Sequence, residues 1–226
     1  MITCWSAKGG AGTSTVVASI GRSLAASGRP ARLVDLVGDL PAVLGVDVGS
    51  SPGIAEWLET GPDVPDDALD RLALPVAADV DLVVRGRGPF ARQRLGALGA
   101  VLAVGPATAV VDAGTRAPGG APWPGTAVAA CADRRLLVVR ACPVSVAGLE
   151  EDAHADGPGQ EGGAPTGVVV VRDPGRRTSL AAIARAAGAP VVAELDLDPA
   201  VGAAADAGLA RAALPRRFLR ALEGLA

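Results

Sequence analysis

Short, nearly unbroken apolar runs recur along the chain, and longer Ala- and Arg-rich stretches separate them. The runs are Ile2–Trp5, Arg32–Val34, Val80–Val84, Ala109–Val111, Leu136–Val139, Val168–Val171 and Pro190–Ala193. Between them, helices are predicted near residues 14–27, 53–60, 89–103, 144–154, 177–187, 199–207 and 211–223. Strands that are apolar throughout, without polar alternation, suit a sheet covered on both faces. Their alternation with helical stretches predicts an α/β fold with a mostly parallel central sheet of about seven strands and helices on both faces. At 226 residues the chain reads as a single domain, 1–226. The Gly- and Pro-rich stretch Asp156–Gly167 (DGPGQEGGAPTG) is expected to be a mobile surface loop, and Gly61–Pro65 a turn.

Composition changes this picture in three places. The net charge of −3 argues against a polyanion binder, so nucleic acid is not an expected partner. Cys4, Cys131 and Cys142 are odd in number and far apart, which gives neither a disulfide framework nor a C-x-x-C metal site. A reducing cytoplasm is the expected compartment, and the N-terminus lacks the basic-then-apolar pattern of a secretory leader. The longest uncharged run, Leu95–Val111, is interrupted by Gly105-Pro106 and reads as a helix end, a turn and a buried strand. Finally, the 21 basic residues are arginines with one exception, and that lysine, Lys8, stands in the glycine-rich segment after the first run.

That segment, SAKGGAGTSTVV, lies between a predicted strand and a predicted helix, where phosphates are held. Gly9, Gly10 and Gly12 permit torsions that let successive N–H groups converge on one anion, at the positive end of a helix. Ser14, in the first helical turn, is placed to ligand Mg²⁺. The usual pattern G-x-x-x-x-G-K-[ST] is incomplete, because Thr13 occupies the lysine position. Two acids close predicted strands: Asp35 after Arg32–Val34 and Asp112 after Ala109–Val111. In a parallel sheet both ends fall on the edge that carries the first loop, where carboxylates can hold Mg²⁺ directly or through water.

On these residues the sequence resembles the MinD/ParA superfamily of P-loop ATPases. Lys8-Gly9-Gly10-Ala11-Gly12-Thr13-Ser14-Thr15 is similar to that family's deviant phosphate loop, K-G-G-x-G-K-[ST]-[ST]. Leu33-Val34-Asp35 resembles its second strand and Val110-Val111-Asp112-Ala113-Gly114 its Walker B strand. Ala132-Asp133 through Leu136–Val139 to Pro143-Val144-Ser145-Val146 resembles a further segment, and Pro190–Ala193 leading to Asp198-Pro199-Ala200-Val201 and then Asp206-Ala207-Gly208 the closing strand and purine-side loop. The threonine at position 13 and Gly38–Gly45 are closest to the TadZ/CpaE branch.

The resemblance implies a P-loop NTPase-like fold that takes ATP and Mg²⁺, with Lys8 as the signature lysine reaching across a sandwich homodimer. It implies nucleotide contacts from residues 8–15, Arg172 and Pro199, and metal contacts from Ser14, Asp35 and Asp112. Val37 stands where the family places its water-positioning Asp, and Asp39 is the one candidate left for that task. The implied function is positioning of a partner assembly (pilus, septum or chromosome machinery) by an ATP-dependent dimer that hydrolyses slowly or not at all. An active partitioning-type ATPase and a nucleotide-free scaffold are the alternatives. Leu214, Phe218, Leu222 and Leu225 share one side of the C-terminal stretch, with Arg216, Arg217 and Arg220 alongside. That pattern fits a last packing helix; the resemblance adds a second reading, a helix that touches the inner face of the membrane.

Overall fold

The computed structural model describes residues 1–61, 64, 65, 67–116, 123–155, 163–210 and 212–225. Most of the loop expected at 156–167 therefore lies outside the described residues. The strands are β1 (Ile2–Ser6), β2 (Ala31–Asp35), β3 (Leu74–Ala77), β4 (Val80–Val83), β5 (Thr108–Thr115), β6 (Arg134–Arg140), β7 (Gly167–Arg172) and β8 (Val191–Asp196). They form one sheet in the order β3-β4-β2-β5-β1-β6-β7-β8. Every pairing is parallel except β3 with β4.

The helices are α1 (Thr13–Ala26), α2 (Leu40–Leu44), α3 (Ile54–Glu59), α4 (Leu95–Val104), α5 (Gly125–Ala129), α6 (Pro143–Ala155), α7 (Leu180–Ala187), α8 (Pro199–Asp206) and α9 (Arg216–Glu223). Successive side chains of a strand point to opposite faces, so each apolar run feeds two cores. Cys4, Leu33, Leu82, Val110 and Leu136 pack with Val16, Ile20 and Leu24 of α1 and with Phe218 and Leu222 of α9. Trp5, Val34, Val83, Val111 and Leu137 pack on the other face with Ile54, Leu98, Leu149 and Ile183, from α3, α4, α6 and α7. The sheet is thus covered on both sides, as the unbroken apolar runs predict.

Several elements depart from the sequence reading, among them the short helices α2 and α5, which were not expected, and α4, which begins at Leu95 and not near residue 89. The eighth strand, β3, is a short antiparallel edge strand containing Pro75, joined to β4 through a turn in which Asp79 has φ 55°. Proline lacks the N–H of a central ladder and is tolerated at an edge. Helix α9 begins only after Pro215, because a proline biases the residue before it away from helical torsions. Helix α7 begins at Leu180, where the Ser179 hydroxyl accepts from the Ala182 N–H.

The chain order creates the site. From β1 the chain runs to β2 on one side, then fills the gap between them with β5, then crosses to β6 on the other side. Ligands of open α/β sheets bind outside the carboxyl ends of strands at such a reversal.

Candidate nucleotide site

The loop after β1 meets α1 at this reversal. Gly10 has φ 76° and Gly12 has φ 93°, torsions that residues with a Cβ rarely adopt. Gly12 is the N-cap of α1, and no side chain caps the helix there. Beyond the adjacent residues of the chain, no heavy atom lies within 4 Å of where a Cβ would stand at Gly9, Gly10 or Gly12. The loop is therefore an open cradle of backbone amides at the positive end of a 14-residue helix.

Two carboxylates stand beside it. Asp35 and Asp112 are register partners on β2 and β5, and Asp112 also pairs with Cys4 of β1. Both acids are fully buried. Asp35 spends its oxygens on the loop that follows it: Oδ1 accepts from the N–H groups of Val37 (3.0 Å) and Gly38 (2.7 Å), and Oδ2 from that of Leu40 (3.2 Å). Burial raises its pKa, and these three amides oppose the rise. Asp112 is different. Its Oδ1 accepts from the Gly114 N–H at 3.0 Å, while Oδ2 is buried without a hydrogen-bond partner. Burial pushes its pKa up to about 6, opposed by the Ser14 hydroxyl and the Gly114 amide and assisted by the charges of Asp35 and Asp39. An orphaned carboxylate oxygen near a helix-first-turn hydroxyl has the donor chemistry of a hard, hydrated cation. Asp35 also shapes the 36–40 loop.

From the cradle a cleft of about 360 Å³ runs toward the far edge of the sheet. Gly10, Gly12 and Thr15 line one end, and Leu197, Pro199 and Gly202 line the other. Its walls include Val16, Leu195, Val201 and Phe218. The entry to α8 is fixed by Asp198, which accepts from the Ala200 N–H (2.9 Å) and from Arg217 (2.6 Å). One end thus presents amides and the other an apolar slot, the two environments that a phosphate and a base require.

No protein-family model matches the sequence, and no curated protein matches it. Solved structures do share its architecture. A ParA family ATPase from Chlorobium tepidum superposes with a TM-score of 0.77 at 17% identity, covering 100% of this chain and 98% of that one. The septum site-determining protein MinD of Pyrococcus horikoshii, complexed with Mg-ADP, gives 0.72 at 19% identity over 100% and 94%. A single-residue variant of Cyanothece McdA in complex with ATP gives 0.72 at 20% identity over 100% and 95%. The fold is that of the MinD and ParA ATPases. At these identities the likeness carries the fold, and the residues of the site stand on their own geometry.

On this MinD/ParA fold the two departures read from the sequence have definite places. Thr13 is buried at the first position of α1. Val37 is exposed and lies over Gly114, where an added Cβ would stand 2.4 Å from its Cγ1. Asp39 is exposed two residues further on, and its charge reaches both buried acids. Lys8 is exposed on the loop. It lies near Cys142: burial works against that thiolate, but the Ser145 hydroxyl at 3.2 Å and the Lys8 charge bring the thiol below its ordinary range.

Pro199 lines the cleft, as does the loop from Gly10 to Gly12. Arg172 does not. Its guanidinium pairs with Glu194 of the neighbouring strand, and the arginine that lines the cleft is Arg140, from the end of β6. The sequence reading passed over Leu195; it placed Val201 in the purine-side segment and Phe218 on the apolar side of the C-terminal stretch, but gave neither a role at the site. The apolar face of the C-terminal helix is covered: Phe218, Leu222 and Leu225 are buried in the α1 side of the core. Among the described residues no helix is long and apolar enough to cross a membrane.

Proposed function

We propose that this chain is a MinD/ParA-type protein that binds Mg-ATP, dimerises around it and positions a partner assembly, with little or no turnover. The observation that carries this reading is the continuity of the open amide cradle at Gly9–Gly12 with an apolar cleft ending at Pro199, beside an unpartnered Asp112 oxygen. Residues 8–15 would hold the phosphates, and Ser14 and Asp112 the Mg²⁺, with Asp35 acting on the metal through water or through the loop that it braces. Bound Mg²⁺ would supply the positive charge that a loop without its lysine cannot.

Thr13 removes a charge-assisted contact worth about 1.5–3 kcal/mol, or roughly ten- to a hundred-fold in affinity. Val37 offers the attacking water neither a hydrogen bond nor a base. Both departures favour binding over hydrolysis, and the threonine is the feature nearest the TadZ/CpaE branch. The names of its structural neighbours, a septum site-determining protein among them, accord with a positioning role. Lys8, exposed on the loop, would serve the partner copy's nucleotide, and the partner assembly would meet a surface created by dimerisation.

Calorimetry with Mg-ATP, paired with a phosphate-release assay, tests the reading. Binding without measurable release supports it. Brisk release points to an active partitioning-type ATPase, and absence of binding at millimolar ATP points to a scaffold that keeps only the fold.

A further inference from the structure

The cleft raises an electrostatic problem that its own residues answer. Among the described residues that line it, the charged ones are Arg140, Asp196 and Asp198. Asp198 is already neutralised by Arg217 and caps α8. A nucleotide brings several negative charges to the loop end, where Thr13 supplies none to offset them. Arg140 is the cation among the described residues that line the cleft, and Lys8, exposed on the same loop, is the residue assigned above to the partner copy's nucleotide.

Its placement follows from the sheet. Leu137 of β6 pairs with Trp5 of β1, so Arg140, three residues on, stands at the edge where the glycine-rich loop leaves β1. Opposite it, Arg140 pairs with Val171 of β7, which brings it to the start of the 173–176 turn. There it binds Asp173: Nε lies 3.0 Å from both carboxylate oxygens and Nη2 lies 2.6 Å from Oδ1. These bonds use the Nε and Nη2 side of the guanidinium. Asp173 has a second partner, Arg176, whose Nε lies 3.1 Å from Oδ2. Two guanidiniums therefore share one carboxylate, and the group carries one net positive charge. Asp173 can keep Arg176 while Arg140, with 42% of its side chain exposed, turns to an anion.

We propose that Arg140 is the nucleotide-phosphate contact that replaces the missing loop lysine, held ready by Asp173 until the nucleotide arrives. This rests on the Mg-ATP reading above and names a residue that neither the phosphate-loop pattern nor the purine-side segment includes. An arginine suits the task, since its planar fork can leave a carboxylate for a phosphate of the same geometry.

The test is calorimetry of ATP, ADP and adenosine, each on the native chain, Arg140→Ala, Arg140→Lys and Asp173→Asn. Arg140→Ala should weaken ATP and ADP by roughly ten- to a hundred-fold and leave adenosine within about two-fold. Arg140→Lys should recover part of the loss. Asp173→Asn should tighten ATP, because Arg140 no longer has a carboxylate to leave; a merely structural ion pair gives no such gain. ATP affinity unchanged in Arg140→Ala, or equal losses for ATP and adenosine, overturns the proposal. Should Arg140→Ala not fold, Asp173→Asn still decides: no tightening overturns it. A native chain that binds no ATP fails the Mg-ATP reading itself, whereas native binding with an indifferent Arg140→Ala fails only the role of Arg140.

Discussion

Asp112→Asn should make the nucleotide-free protein more stable at neutral pH, while weakening the Mg-ATP binding proposed above. The Asp112 carboxyl is fully buried, has one oxygen satisfied by the Gly114 N–H and leaves the other without a partner. Burial raises its pKa from 3.8 to about 6. The folded state therefore holds this proton more tightly than the unfolded chain does, and stability falls as pH rises. The cost begins to accrue above the unfolded value near 3.8 and is complete above about 6. A separation of about two units, at about 1.4 kcal/mol each, amounts to roughly 3 kcal/mol. Asparagine keeps the shape and the acceptor for Gly114 but carries no charge. At about pH 7.5 the variant should be about 2–3 kcal/mol more stable than the native chain, or about 5–10 °C higher in Tm for a domain of this size. Near pH 4 the two should converge. Thermal melts across this range, without Mg²⁺, check the sign and the window. A variant less stable than the native chain at neutral pH, or a difference that persists unchanged in acid, would refute the reasoning, because the carboxylate would then be stabilising the fold.

Three further outcomes follow from the same geometry. Thr13→Lys should tighten Mg-ATP by up to about a hundred-fold by calorimetry, through the restored charge-assisted contact. It should not restore phosphate release; the double change Thr13→Lys with Val37→Asp is the one expected to raise turnover, and a burst of release in the single variant would show that Val37 is not limiting. Leu222→Ala, at a fully buried position of α9, should cost about 2–5 kcal/mol in denaturant unfolding; a cost under about 1 kcal/mol would mark α9 as loosely held, as a membrane-touching helix would be.

The sheet was legible because its strands are buried on both faces, so Leu33-Val34 and Val110-Val111 are apolar at both parities. The edge strand β3 was not, since Leu74–Ala77 is short, carries Pro75 and needs burial on neither count. At the site, the glycine torsions and the strand-end acids could be read from residue type and spacing. The division of labour between the acids could not: whether a carboxylate oxygen is taken by Val37, Gly38 and Leu40 or left bare depends on backbone directions several residues away. Arg172 and Arg140 show the same limit. Both end parallel strands, and their fates are settled by Glu194 and Asp173, 22 and 33 residues distant in sequence. Residue type predicts a cation at that edge; the long-range partner decides which one meets the cleft.

Dimerisation with nucleotide is the centre of the account, and Lys8 is its pivot. Two bound nucleotides would bring several negative charges to a shared interface, which needs a cation from each copy. Lys8 is exposed on the loop, and the nearest arginine in sequence, Arg22, is committed to the Leu209 and Ala212 carbonyl oxygens. Light scattering of the native chain and of Lys8→Ala, with and without saturating Mg-ATP, is therefore the direct test. The native chain should double in mass with Mg-ATP. Lys8→Ala should remain a monomer while binding ATP within about ten-fold of native, since Gly9–Thr15 still supply the cradle. A native chain that stays monomeric in saturating Mg-ATP would contradict the account.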